Sequence, residues 1–314
     1  MSLKLVPEKT KIDFLKLRFV CIGLSLVFLA VTLGLLVSKG LYYGIDFAGG
    51  TLVQLQTETA VPVGEIRSQM VRAGYEGLII QEYGAPTEIL IRVPNEVMPE
   101  GGGEATTRVA KEMAQALSSV AGNVDVRRVE FVGPQIGEEL KQKGLLAILF
   151  SALAILAYVS VRFEFRFAVG ALAALIHDVM LTIGVFSFMQ KEISMPVLAA
   201  FLTILGYSLN DTIVVFDRVR ENMRRFKKKP LTEILNISIN EMLNRTLMMT
   251  LTTAAVLLSL LFYGGEVIHD FAFALLIGVM VGTYSSIYIA SPIVLWMENK
   301  NKFVAKNTEE GEDF

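Results

Sequence analysis

A single cysteine, Cys21, rules out an intrachain disulfide. It falls in an apolar run, where a free thiol serves as a small apolar residue. No G-x-x-x-x-G-K-S/T segment occurs, so no P-loop cradles a nucleotide, and H-E-x-x-H and G-x-S-x-G are absent too. Charge is scarce as well. Charged residues make up 19% of the 314 and hydrophobic ones 53%, a balance that excludes an ordinary water-soluble domain. No catalytic constellation, cofactor motif or metal-ligand spacing stands out, so the expectation is a protein that is not an enzyme. If it does work, an ion gradient is the available source.

What is present is apolar sequence gathered in six runs. Each is near the roughly 20 residues that cross a hydrocarbon core as a helix: Phe19–Val37, Leu145–Val161, Phe167–Met189, Pro196–Phe216, Leu247–Tyr263 and Phe271–Met297. The expected division is an N-terminal segment 1–18, a first span 19–38, a polar insert 43–137, a five-span region 143–297 and a tail 298–314. The tail is acidic from Thr308 to Phe314, a composition of disordered chain. The first run is too long for a cleaved signal peptide and lacks an Ala-x-Ala site before Tyr42.

Basic residues set the orientation. Lys4, Lys9, Lys11, Lys16 and Arg18 precede the first run, and Arg162 and Arg166 separate the second and third. Arg218, Arg220, Arg224, Arg225, Lys227, Lys228 and Lys229 lie between the fourth and fifth, and Lys300, Lys302 and Lys306 follow the sixth. The opposite connections hold only Lys191 and, in Gly264–Asp270, no Lys or Arg. Both termini are therefore expected in the cytoplasm and the insert outside. The Arg218–Lys229 cluster reads as a topology determinant rather than a surface for nucleic acid or anionic lipid.

The insert reads as a strand over Thr51–Thr57 and a helix opened by Pro62 with Val63, Ile66, Met70 and Ala73 on one face. Strands at Leu78–Tyr83 and Glu88–Val93 follow, turned around Gly84-Ala85-Pro86. After Gly101-Gly102-Gly103 comes a helix over Glu104–Val120, then a strand over Val124–Phe131. The order β-α-β-β-α-β predicts an α+β ferredoxin-like domain. It contains no His and no Cys, hence no metal site, and its mildly acidic charge argues against nucleic acid.

Polar groups inside the spans are candidates for function by default. The third run carries His177 and Asp178, the fourth Asn210 and Asp211, and Arg245 stands just before the fifth. Thr203, Tyr207, Asn210 and Asp211 fall on one helical face; Arg245, Met248 and Thr252 share another, which would let Arg245 point into the bundle. Each has a plain structural reading beside the functional one. Arg245 can snorkel, Asp178 can cap a buried network with His177, and Asp211 can be a neutral hydrogen-bonded acid. Gly278 and Gly282, with Ser285, Ser286 and Ile289, read as helix packing, and Gly49-Gly50 as a turn.

Gly44-Ile45-Asp46-Phe47-Ala48-Gly49-Gly50 resembles the signature of the SecD/SecF family, a branch of the RND superfamily. The segment Gly206–Asn222, with Asn210-Asp211 at its centre, resembles the fourth helix of SecF members, Asn244-Arg245-Thr246 the opening of their fifth, and Gly282–Tyr288 part of their sixth. The likeness covers nearly the whole chain. It implies an α-helical RND half-transporter of six transmembrane helices, with the ferredoxin-like insert on the outer face of a bacterial inner membrane. It implies a SecD half as partner, the SecYEG translocon, secretory preproteins as cargo, and contacts extending to YidC and YajC. It assigns proton relay to Asp211 and Arg245 and implies no cofactor; Asp178 and Asn210 stand as weaker candidates on their place inside the spans. A passive scaffold and a half-size RND exporter of hydrophobic small molecules stand as alternatives, and carboxylates suit H⁺ or Na⁺ alike.

Overall fold

The computed structural model describes residues 10–97 and 102–298. Lys4, Lys9, Gly101, Lys300, Lys302, Lys306 and the acidic tail lie outside them. The chain forms two compact units. One comprises the residues up to Leu41, Ala147–Lys191 and those from Pro196 onward; the other is Tyr42–Leu146 with Glu192–Met195.

The first unit holds α1 (Arg18–Ser38), most of α5 (Pro134–Arg162), α6 (Phe165–Met189), α7 (Met195–Arg225), α8 (Leu231–Tyr263) and α9 (Glu266–Ser285). A π-helical turn, Ser286–Ala290, follows α9, and the helix continues to Glu298. All six are long and apolar enough to cross a membrane. Their common core is Phe167, Leu175, Phe216, Leu235, Ala290 and Val294 with their neighbours. Glycines set the closest approaches. A Cβ on Gly170 would lie 2.9 Å from the Ala290 carbonyl oxygen, and one on Gly282 would lie 3.2 Å from Ser208 Cβ, so the small-residue stripe of α9 packs within this chain.

Three helices extend well beyond their apolar runs, α5 starting at Pro134 where its run starts at Leu145. The fifth apolar run starts at Leu247, yet α8 starts at Leu231, after Pro230. The added stretch is amphipathic, burying Leu231, Ile234, Leu235, Ser238, Ile239 and Leu243 at helical spacing. Arg245 thus lies about four turns inside the helix, not at its opening. Likewise α7 continues to Arg225, so Arg218, Arg220, Arg224 and Arg225 are helical rather than looped. Asn222 Nδ2 donates to Ser238 Oγ (3.0 Å) and Glu241 Oε2 (2.7 Å), joining α7 to α8. The N-terminal segment is strapped to α8 by two asparagines. Asn240 accepts from Ile12 N (3.0 Å) and donates to Ile12 O (2.8 Å), while Asn236 accepts from Leu15 N (3.1 Å).

The second unit begins with β1 (Tyr42–Tyr43), paired in parallel with β6 (Glu192–Ile193). The motif Gly44–Gly50 is a short helical turn, α2 (Ile45–Ala48), closed by Gly49 and Gly50 at φ of 71° and 124°. The four-stranded antiparallel sheet contains β2 (Gly50–Thr57), β3 (Ile79–Tyr83), β4 (Ala85–Val93) and β5 (Val124–Val132), in the order β3-β4-β2-β5. With α3 (Val63–Arg72) and α4 (Gly102–Ala121) this is the ferredoxin-like arrangement. The hairpin is tighter than the expected three-residue turn: Tyr83 pairs with Ala85 across Gly84 alone, at φ 75°. Val53, Leu55, Ile89 and Ile91 from the sheet meet Ile66, Met70, Met113 and Leu117 from the helices in one core. A bulge at Gln54/Leu55 leaves Arg127 out of register, and its guanidinium donates to Gln56 Oε1.

Candidate functional site

Among the described residues the membrane unit buries two carboxylates, and hydroxyl groups hold both. Asp178, on α6, is 0% exposed and Asp211, on α7, 8%. An unbonded carboxylate at such depth is strongly unfavourable. Asp211 Oδ1 accepts from Thr246 Oγ1 of α8, and its Oδ2 from Ser286 Oγ at the first residue of the π turn, each at 2.7 Å. Asp178 Oδ2 accepts from Ser208 of α7 (2.5 Å) and Ser285 of α9 (2.7 Å), while its Oδ1 faces His177 Nδ1 at 2.9 Å.

Each donor has a local reason for its position. On α8, Leu243, Thr246, Thr250, Ala254 and Leu257 are buried at three- and four-residue intervals, so this stripe faces the other helices. On α9, Gly278 and Gly282 let the backbone come against Ile204 and Ser208, which carries the following serines to the carboxylates. The π turn then widens the helix by one residue, and Ser291 Oγ donates to the Ser286 carbonyl at 3.0 Å. Such π turns mark functional positions in many helices.

The expected polar face divides. Asp211 turns inward, Tyr207 is half-buried with its hydroxyl on Thr253 Oγ1 (3.3 Å), and Thr203 and Asn210 are exposed. Arg245, expected to point into the bundle, is exposed together with Thr252; its neighbour Thr246 occupies the inward position. Among the described residues no ion pair joins Arg245 to Asp211. Arg245 instead lines a depression of about 450 Å³ with Tyr158, Arg162, Asp217 and Glu221. His177 and Asp178 are both buried.

Ser208, Thr246, Ser285 and Ser286 escaped recognition as ligands of the carboxylates. Ser285 and Ser286 read as packing, and hydroxyls in apolar helices usually bond their own backbone. The one available signal was Ser208, a turn before Asp211 on the same helix. Among the described residues no group of three His, Cys, Asp or Glu side chains could hold a metal ion.

Residues 112–300 match the family described as "Protein export membrane protein SecD/SecF, C-terminal", and residues 34–61 match the SecD/SecF GG motif. The chain is 48% identical over 307 residues to a protein of Magnetococcus marinus named protein translocase subunit SecF, covering 96% of this chain and 98% of that one. The corresponding protein of Pseudomonas aeruginosa is 44% identical over 91% of both chains. Among solved structures, the translocon-associated membrane protein SecDF of Thermus thermophilus superposes with a TM-score of 0.84 at 37% identity, over 94% of this chain. SecDF in its super-membrane-facing form gives 0.72 at 36% identity. This chain spans about 40% of the length of those SecDF chains.

Proposed function

The chain belongs to the SecD/SecF family of protein-export membrane proteins, and from that premise we propose that it is the SecF-type half of a proton-driven export motor. In this reading it pairs with a SecD half in the bacterial inner membrane and uses the proton motive force to help draw secretory preproteins outward through SecYEG. Both termini lie in the cytoplasm and the ferredoxin-like domain faces outward. The basic residues at the α5–α6 and α7–α8 connections, against Lys191 alone at α6–α7, support that orientation.

The observation that carries the proposal is Asp211, a carboxylate buried in the membrane unit with one hydroxyl donor on each oxygen. A group so placed can hold or release a proton, and its two donors can change partners when it does. Arg245 completes the reading from the outer face. Thr203, Asn210 and Asp217 of α7 and Arg245 and Thr252 of α8 are polar and exposed on helices built to cross a membrane. Facing lipid they would be unfavourable; facing a second half they line a path that ends at Asp211. A passive scaffold has no need of a buried carboxylate.

The test is export of a secretory precursor by inverted vesicles under an imposed proton gradient, run beside a pull-down with the SecD half. Asp211→Asn and Arg245→Met are expected to abolish gradient-dependent export and to leave assembly intact. Wild-type export by Asp211→Asn overturns the relay, and lost assembly returns the residue to a structural role. A sodium gradient that restores export without a proton gradient makes Na⁺ the coupling ion.

A further inference from the structure

The environment of His177 allows its protons to be counted. The one hydroxyl proton of Tyr284 goes to the Cys21 carbonyl oxygen (2.8 Å), which cannot donate. The Tyr284 oxygen, 3.0 Å from Ser25 Oγ, therefore accepts the Ser25 proton. Ser25 then has only a lone pair for His177 Nε2, 3.1 Å away, so Nε2 must carry hydrogen. On the far side of the ring, Nδ1 and Asp178 Oδ1 are 2.9 Å apart. Two bare acceptors would repel at that distance, so one further proton lies between them. Asp178 Oδ2 accepts from Ser208 at 2.5 Å and is the nearer acceptor of Ser285, at 2.7 Å against 3.1 Å for the Gly282 carbonyl, which places that proton on the Oδ1 side.

We propose that His177 and Asp178 form a second proton-binding site of the membrane unit, with one exchangeable proton on the line between Nδ1 and Oδ1, linked to Asp211 through the adjacent serines Ser285 and Ser286. The proposal rests on the reading of Asp211 as the ion-handling carboxylate. With the proton on either atom the pair is neutral overall. When it leaves to water, an N–H or O–H bond breaks, the ring keeps its Nε2 hydrogen, and Asp178 carries a full negative charge with no exposure. That charge tightens the bonds from Ser208 and Ser285. Ser208 stands three residues before Asp211, and Ser285 directly precedes the Ser286 that bonds Asp211. Both links run from one carboxylate to the other, so the charge of each alters the donors of its neighbour. The other titratable groups facing the pair are Tyr284 of α9, stacked on the His177 ring at 6.0 Å, and Cys21 of α1 beyond it.

The chain has two histidines, so His269→Gln leaves His177 as a lone probe. The full chain, labelled with ¹⁵N-histidine and placed in lipid nanodiscs, is read by nitrogen NMR at acid, neutral and alkaline pH. The expected result is Nε2 as N–H throughout, with Nδ1 shifted from the bare imidazole position toward the protonated one. In Asp178→Asn that shift is lost. A bare Nε2, or an Nδ1 signal identical in the two proteins, overturns the site. The state of Nε2 needs no further variant, so it tests the count even if Asp178→Asn does not fold. Asp211→Asn is expected to move the Nδ1 signal, and an unmoved signal overturns the link. These readouts do not involve export, so failure of the relay at Asp211 would appear separately in the vesicle assay.

Discussion

Thr246 donates its hydroxyl to Asp211 Oδ1 at 2.7 Å, and it follows Arg245 directly in the chain. Successive residues of an α-helix project about 100° apart. The same turn of α8 therefore gives a neutral donor to the interior and shows a cation to the outside. Asp211 is thus held from within by hydroxyls and approached by the arginine only from the exposed side.

Removing either hydroxyl should expose that dependence. Thr246→Val keeps the shape of the side chain and Ser286→Ala nearly so, yet each leaves one oxygen of Asp211 without its donor. Each is expected to cost about 1–3 kcal/mol of stability, the penalty of an unsatisfied buried polar group. In Thr246→Val/Asp211→Asn the loss should be smaller than the sum of the two single changes. Thermal unfolding of the detergent-purified protein in a double-mutant cycle reads both effects; additive losses would separate the two residues.

The ferredoxin-like domain should fold alone. A fragment of about Gly44–Gly133 retains the four-stranded sheet, both helices and the core formed by Val53, Leu55, Met113 and Leu117. It is expected to unfold cooperatively in urea with mixed α/β circular dichroism. Leu117→Ala, at a position with 0% exposure, should lower its stability by about 2–5 kcal/mol. A non-cooperative fragment would make the rest of the chain necessary for the fold.

Gly50 is expected to tolerate no side chain. Its φ of 124° suits glycine alone, and a Cβ there would stand 2.8 Å from the Val93 carbonyl oxygen. Gly50→Ala should destabilise the same fragment by about 1–3 kcal/mol, whereas Gly64→Ala on α3, with nothing near the added Cβ, should be neutral or better. Equal midpoints for the two variants in urea would refute the strain argument.

Tyr75 gives the domain a pH dependence. Its hydroxyl donates to Glu112 Oε2 at 2.6 Å, and burial first, then that bond, push the phenol from 10.0 up to about 12. The folded state holds this proton more tightly than the unfolded one. Its stabilisation is therefore complete below about pH 10 and is lost as pH rises toward about 12. Tyr75→Phe should remove that alkaline slope and cost about 0.5–1.5 kcal/mol at neutral pH. Urea midpoints of both proteins measured against pH check the sign.

The six spans and the strand–helix order were legible because each rests on a repeating apolar pattern. The start of α8 was not: Asn236, Asn240 and Glu241 interrupt the apolar sequence although the inner stripe continues through Leu235, Ile239 and Leu243. That displaced Arg245 to a helix end and hid the inward turn of Thr246. The pairing of Tyr42–Tyr43 with Glu192–Ile193 joins two dipeptides about 150 residues apart, too short for any periodicity to register. Both carboxylates were visible as polar residues in apolar runs. Their serine and threonine partners were not, because a hydroxyl at one helical position looks the same whether it bonds its own backbone or a neighbour's side chain.

The strap between the N-terminal segment and α8 bears on how the sequence can drift over evolution. Asn240 and Asn236 grip main-chain atoms of Ile12 and Leu15, and every residue except proline offers the same amide groups. Ile12 can therefore exchange its exposed side chain generation after generation without loosening the strap, whereas Asp13, whose Oδ1 accepts from Asn236 Nδ2 at 2.8 Å, cannot do so as freely. Asn240 uses its donor and its acceptor together on Ile12, and no other side chain of that length presents both side by side.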